Sequence, residues 1–386
     1  MVSGLRREWT GAVEVDVRVG DTVVPALAYP QLTGRPEPGD QVLLNATALE
    51  LGLGTGGYAL VIAIPGRLPP DPPGPGHLVK ARYTPLQATV LSADEQGSPY
   101  HELLCDADDL AGMPVVIADL HSALPAVLAA FYSQWAASAG GRGPAGAAGS
   151  SSAVNPGGTA GNPGGTAGSP APRPRAAYVM LDGGALPAWF SRTAAALREA
   201  GWLAGVVTVG QAFGGDLEAV TLHSGLLVAR EVLGAAALTA SPEATPENPH
   251  RVPVPRFPGP CETTATAAVL GGRPVASLRV SEADPRERHR GISHHSLTAY
   301  GRVALARADV VVPELPGEFG ARLLTEAAPL AARHSLVRVS VDGLTEVLRA
   351  CPVPLSTMGR GLDEDPSYFL AAAAAGRHAA ALTGSS

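Results

Sequence analysis

Lysine is nearly missing from this chain of 386 residues: Lys80 is the single one among 28 basic side chains. A P-loop requires GxxxxGK, and Lys80 follows PGPGHLV, so that class of phosphate site is excluded. Cysteine is scarce too. Cys105, Cys261 and Cys351 are odd in number and form no CxxC pair, which supports neither a disulfide framework nor a cysteine zinc site. They read as ordinary thiols in a reducing compartment. Charged residues make up 16% of the chain and the formal net charge is -7, so no general affinity for nucleic acid or an anionic membrane is expected. The start, MVSGLRREWTGAVEVDV, has no apolar run of the secretory kind. The most apolar helix-like stretch, Leu124 to Ala137, is too short to span a bilayer and carries Ser133 and Gln134, so it reads as a buried core helix. The expected location is the cytoplasm.

What is present is a chain 46% apolar, with room for one large domain and one small one. Residues 1–64 read as a small β-rich domain. Its strand-like runs are GAVEVDVRV, VVPALAYP, QVLLNAT and YALVIAIP, punctuated by Gly20-Asp21, Pro38-Gly39-Asp40 and Gly54 to Gly57. A small antiparallel barrel or sandwich is the expected form. Residues 65–76, PGRLPPDPPGPG, read as a proline-rich linker to a second domain at 77–386.

In that second part the pattern changes to short apolar runs: MPVVIA, AAYVML, AGVVTV, AAALTA, PVASLRV, DVVVP, SLVRVSV and VPLSTM. Helix-length amphipathic segments separate them. Runs without alternation suit strands buried on both faces. The expectation is therefore α/β, a mostly parallel sheet flanked by helices, doubly wound, with a (β/α)8-like barrel as the alternative. Two stretches interrupt the series. Residues 138–175 include NPGGTAG twice in tandem, and that composition buries too little apolar surface to offset its ordering entropy, so it reads as a disordered insertion. Residues 241–260 read as a proline-rich surface excursion.

In open sheets of this kind ligands bind past the carboxyl ends of the strands. The residues expected there include Asp119 to Ser122, Asp182-Gly183-Gly184, Gln211 to Asp216, Ser281 to His295, Glu314, Asp342-Gly343 and Gly359-Arg360-Gly361. For Glu314 and Asp342 a capping or surface role is favoured. The 281–295 loop is denser in chemistry. Arg286, Arg288 and Arg290 beside a helix start near Ser293 suit a phosphate or carboxylate, and Asp284 stands among them. His289 or His294 would be the general acid–base, because an imidazole titrates near neutral pH. Asp182 and Asp216 would orient the ligand or hold a divalent ion. No HExxH or similar spacing occurs, so the sequence assigns no metal and names no cofactor.

Two glycine-rich segments divide by context. Gly52-Leu-Gly54-Thr-Gly56-Gly57 matches GxGxxG but lies between strand-like runs, so it reads as a turn. The segment from Gly210 through Gly214 to Glu218 follows a strand and precedes a helix-like run, so Gly214 admits close approach of a ligand to the backbone. In GHLVKARYTPLQ, alternation sets Lys80 and Arg82 on one strand face, with Lys80 either a phosphate contact or a surface residue.

The stretches NATALELGLGTGGY, GHLVKARYTPLQ, GMPVVIADLHSALP, DGGALP, GQAFGGDLEAV, SEADPRERHRGISHHSLTAYGRVAL and STMGRGLDEDP resemble those of an uncharacterised bacterial family designated DUF3866. The resemblance implies kinship without a known activity. It also implies a GPG…GTGT-like segment after the fourth strand, where this chain has Pro258-Gly259-Pro260-Cys261. From the residues themselves, the expected function is binding of a phosphorylated or anionic small molecule such as a nucleotide. Hydrolysis or group transfer fits better than redox chemistry, because no dinucleotide motif has the right context. A non-catalytic metabolite sensor or protein-interaction module is the competing class.

Overall fold

In the computed structural model of the chain, the described residues are 1–52, 56–70, 74, 76–107, 110, 113–118, 121–138, 173–181, 186–241, 267–270, 309–332, 335–357 and 359–383. Alternation writes the first sheet. It comprises β1 (Val2–Trp9), β2 (Ala12–Val19), β3 (Thr22–Ala28), β4 (Leu43–Asn45) and β5 (Ala59–Ala63), in the order β1-β2-β3-β5-β4. Val13, Val15 and Val17 bury one face together with Ala26, Ala28, Ala59 and Val61, and Leu44, Ala46 and Leu49 pack against it. Single helical turns, α1 (Pro30–Thr33) and α2 (Thr47–Glu50), lie in the connections.

The opposite face of this sheet is also apolar. Ala12, Leu27 and Tyr29 pack against Trp189 and Phe213 of the remaining chain. Trp9 Nε1 donates to the Trp189 carbonyl at 2.7 Å. The expected barrel or sandwich is therefore corrected. This sheet is open and mixed, since β3 and β5 are parallel, and the rest of the molecule covers its second face in place of a partner sheet.

A two-stranded ribbon follows, β6 (Leu78–Lys80) and β7 (Ala88–Val90), then the short helix α3 (His101–Asp106). The large sheet has eight strands: β8 (Val115–Ala118), β9 (Arg175–Met180), β10 (Gly205–Val209), β11 (Leu217–Ala219), β12 (Ala235–Ser241), β13 (Ala267–Leu270), β14 (Asp309–Glu314) and β15 (Ser335–Ser340). Their order is β11-β10-β9-β12-β8-β13-β14-β15. Strand β9 shows why the sequence reads as continuously apolar. Ala176, Tyr178 and Met180 enter one core, and Ala177, Val179 and Leu181 enter the core on the other face.

The first of these cores holds α4 (Leu124–Ser138) and α9 (Pro366–Thr383), which pack against each other. Their approach is close enough that a Cβ on Gly376 would fall 2.0 Å from the Val127 carbonyl oxygen. Also on this side are α5 (Arg192–Glu199) and α8 (Leu344–Arg349), which contribute Leu197, Leu344 and Leu348. The second core takes Leu222, Leu226 and Leu227 of α6 (Leu222–Leu227), while Leu323 and Ala327 of α7 (Gly317–Ala327) pack on Val312 of β14. No helix of the described residues is long and apolar enough to cross a membrane.

The expectation of a mostly parallel doubly wound sheet, and of its (β/α)8 alternative, is overturned. The sheet is open and mixed, because β13 runs antiparallel to both β8 and β14. Continuous apolar runs report burial on two faces and carry no information on strand direction. Two local expectations also fail. VPLSTM forms no strand, only a bridge between Thr357 and Arg360, and the Gly210 to Glu218 segment, expected to lead from a strand into a helix, passes through strand β11 before the helix at Leu222–Leu227. The PVASLRV run, residues 139–172 of the expected insertion and residues 242–260 of the expected excursion lie outside the described residues.

Candidate functional site

Strands β8, β12, β9 and β10 are mutually parallel, so their carboxyl ends share one edge. Beyond β10 the chain turns at Gly210 (φ 71°) and returns through 211–216 to start β11. A buried ion pair pins that return loop. Lys80, at the end of β6, has no solvent exposure. Its Nζ donates to the Ala212 carbonyl at 2.8 Å and stands 3.3 Å from Glu218 Oε2. Glu218 Oε2 also accepts from Thr208 Oγ1 at 2.7 Å, and Oε1 accepts from the Gly214 N–H at 2.7 Å. Burial pushes the Glu218 carboxyl up, against the opposing pull of the Lys80 ammonium and these hydrogen bonds.

The pinned loop presents Gln211. Its Oε1 accepts from the backbone N–H of Arg82 at 3.0 Å, which turns the amide so that Nε2 faces the other way. Gln211 Nε2 and Arg82 Nε are both buried, and neither has a hydrogen-bond partner among the described residues. A buried donor left unpaired costs about 1–3 kcal/mol, more where the group is charged. Arg82 lies between Ala81 (φ 47°) and Tyr83 (φ 63°), both in the left-handed region that non-glycine residues seldom occupy. The Tyr83 side chain projects into solvent at 96% exposure.

Further along the edge, past β8, His121 meets Phe190 edge-on with ring centroids 6.5 Å apart, and Phe190 in turn packs on the Trp189–Phe213 cluster. Burial lowers the His121 imidazole below its ordinary value, so it is neutral at physiological pH. The neighbouring Ser122 Oγ lies 2.8 Å from the Tyr368 hydroxyl and donates to Thr357 Oγ1 at 3.1 Å, tying this edge to the start of α9.

Of the residues expected from sequence to bind or react, Asp182, Asp284, Arg286, Arg288, His289, Arg290, Ser293 and His294 lie outside the described residues. Lys80 is buried, so its surface alternative is excluded, and contact with a phosphate would require its ammonium to leave the Glu218 pair. Gly214 does use glycine's freedom (φ 82°), but the group that approaches it is Trp189, whose ring would lie 2.5 Å from a Cβ there. Asp216 Oδ2 accepts from the Val206 N–H at 2.7 Å, and its carboxylate pairs with Arg198. Glu314 pairs with Arg338 at 3.1 Å, and Asp342 closes a local turn with Ser340, while the residue capping α8 is Gly343. No group of three or more metal-ligating side chains occurs among the described residues.

Gly214 and Asp216 also border a cleft of about 880 Å³ between the β1–β2 turn and α5, which Arg7, Arg192 and Arg198 line. The cleft and the carboxyl edge are separate places, and the edge is the better site. All three arginines of the cleft are exposed, so water satisfies them at no cost, whereas the buried donors at the edge have no such recourse.

Sequence reasoning singled out Arg82, Gln211, His121 and Ser122 without joining them. Thr357 and Tyr368 gave no signal of their own, because a hydroxyl becomes informative only once its neighbours in space are known.

Two packed sheets with a polar, partly orphaned edge on the larger one define the molecule. Residues 25–139, 166–242 and 260–376 match the model of a family described as "Protein of unknown function (DUF3866)", and the chain belongs to that family. No curated protein and no solved structure matches the chain.

Proposed function

We propose that the protein binds a phosphorylated or otherwise anionic small molecule at the carboxyl edge of its large sheet. One observation carries this reading: Arg82 Nε and Gln211 Nε2, buried N–H donors on two residues joined by the Arg82 N–H to Gln211 Oε1 hydrogen bond, have no acceptor among the described residues. An oxyanion supplies acceptor oxygens to both, and the guanidinium matches its charge. His121, on the same edge and neutral, can take up a proton, which supports hydrolysis or group transfer on the bound molecule.

The test is thermal unfolding with inorganic phosphate and a panel of phosphorylated metabolites. A ligand at about 100 times its Kd adds roughly 2.7 kcal/mol of stability. Arg82→Ala and Gln211→Leu are expected to remove that shift. A transition that no anion shifts would overturn the reading. Turnover of a bound ligand that stops in His121→Ala, with binding intact, separates catalysis from sensing.

A further inference from the structure

Tyr83 carries two liabilities at once. Its backbone is left-handed at φ 63°, a conformation costly for a residue with a Cβ, and its ring is almost wholly in water. Glycine would adopt the same backbone without strain, and a polar residue would meet the solvent without an apolar ring. Nothing among the described residues compensates, since at 96% exposure the ring has next to no protein surface against it. The turn itself is well built: Thr84 Oγ1 donates to the Ala81 carbonyl at 2.8 Å, and the Gln87 N–H reaches the Thr84 carbonyl at 3.2 Å. The loop therefore holds the aromatic out in a defined way. The residue next to it, one Cα step of about 3.8 Å away, is Arg82 with its orphaned Nε.

We propose that Tyr83 is a stacking platform at the rim of the anion site, and that the ligand carries a flat heterocycle as well as an oxyanion, as a nucleoside phosphate does. This rests on the reading of Arg82 and Gln211 as the oxyanion donors. The oxyanion enters between Arg82 and Gln211, and the ring lies on the exposed face of Tyr83. Bases stack on aromatic side chains whatever their identity, so the platform selects for a ring and leaves the choice of base to other groups.

Three probes test this by titration calorimetry: inorganic phosphate, ribose 5-phosphate and adenosine monophosphate. The wild-type protein is expected to bind adenosine monophosphate at least about fivefold tighter than ribose 5-phosphate, the lower end of what base–aromatic stacking contributes. Tyr83→Gly removes that advantage and leaves ribose 5-phosphate unchanged, while Tyr83→Phe keeps it. Because glycine relieves the left-handed strain, Tyr83→Gly also melts no lower than the wild type, which a purely structural tyrosine would not allow. Equal affinity for the two phosphates, or an advantage that survives in Tyr83→Gly, overturns the platform and leaves the anion site standing. Failure of all three probes, or binding indifferent to Arg82→Ala, overturns the anion site beneath it.

Discussion

At the scale of single residues, the edge is defined by groups whose surroundings do not suit them, and His121 gives a pH signature of this. Its pKa in the folded protein lies below the unfolded value of about 6.5 because burial disfavours the imidazolium. Between the folded and unfolded values the unfolded chain binds more protons, so folding stability is complete above about pH 6.5 and is lost as the pH falls toward the folded value. Urea midpoints measured from pH 7.5 to 5.5 are expected to decline less in His121→Phe, which keeps a ring against Phe190, than in the wild type. Parallel declines would mean that this imidazole titrates as it does in water. The sequence marked many of these residues but not their burial. Alternation set Lys80 and Arg82 on one strand face, but β6 ends at Lys80 and Ala81 is left-handed, and a lone lysine gives no hint that its acceptor, Ala212, waits 132 residues further along the chain.

Among the elements, the least legible were the strands whose neighbours decide them. β11 is three residues long and begins after Gly214-Gly215-Asp216, a sequence equally suited to a helix entrance. Its identity follows from pairing with β10 and from Glu218, which faces inward to meet Thr208 and Lys80. The antiparallel course of β13 has no local signature at all, because Ala267–Leu270 is simply four small or apolar residues. Glu218 makes the junction of β6, β10 and β11 sensitive to charge. Lys80→Met leaves a buried carboxylate without its counter-ion, a change that costs about 3–5 kcal/mol. The carboxyl is already pushed up by burial and rises further without Lys80, so protonation relieves the defect at low pH. Guanidinium denaturation should therefore show a large deficit for Lys80→Met at pH 8 and a smaller one at pH 5. The double variant Lys80→Met/Glu218→Leu should recover much of the loss at pH 8. A deficit independent of pH would show that Glu218 is not the group left exposed to the change.

For the molecule as a whole, the question is how two sheets, each with its own core, are made to act as one body. In the sequence a proline-rich stretch, 65–76, lies between Ala63, where β5 ends, and Leu78, where β6 starts. The docking of the two sheets does not show there, since Ala12, Leu27, Tyr29, Trp189 and Phe213 come from segments far apart and each looks like an ordinary core residue. Trp189 is the keystone. Its ring meets Phe213 edge-on at 5.4 Å, lies 6.1 Å from Tyr29, and fills the space that Gly11 and Gly214 leave open, while its carbonyl accepts from Trp9. The same segment carries the bonds between Ala188, Leu186 and Phe213 that shape the loop beyond Gln211. Trp189→Ala removes a large buried ring and costs about 3–5 kcal/mol. Because that loss falls on the junction and on neither sheet's own core, calorimetry is expected to show one transition in the wild type and two in the variant. Trp189→Phe, which keeps an aromatic ring in place, should restore a single transition. The variant should also lose affinity for the anion bound at Arg82 and Gln211, since the loop presenting Gln211 is braced by the same contacts. If Trp189→Ala instead lowers one undivided transition, the two sheets share a single cooperative core and the junction is no weaker than the sheets it joins.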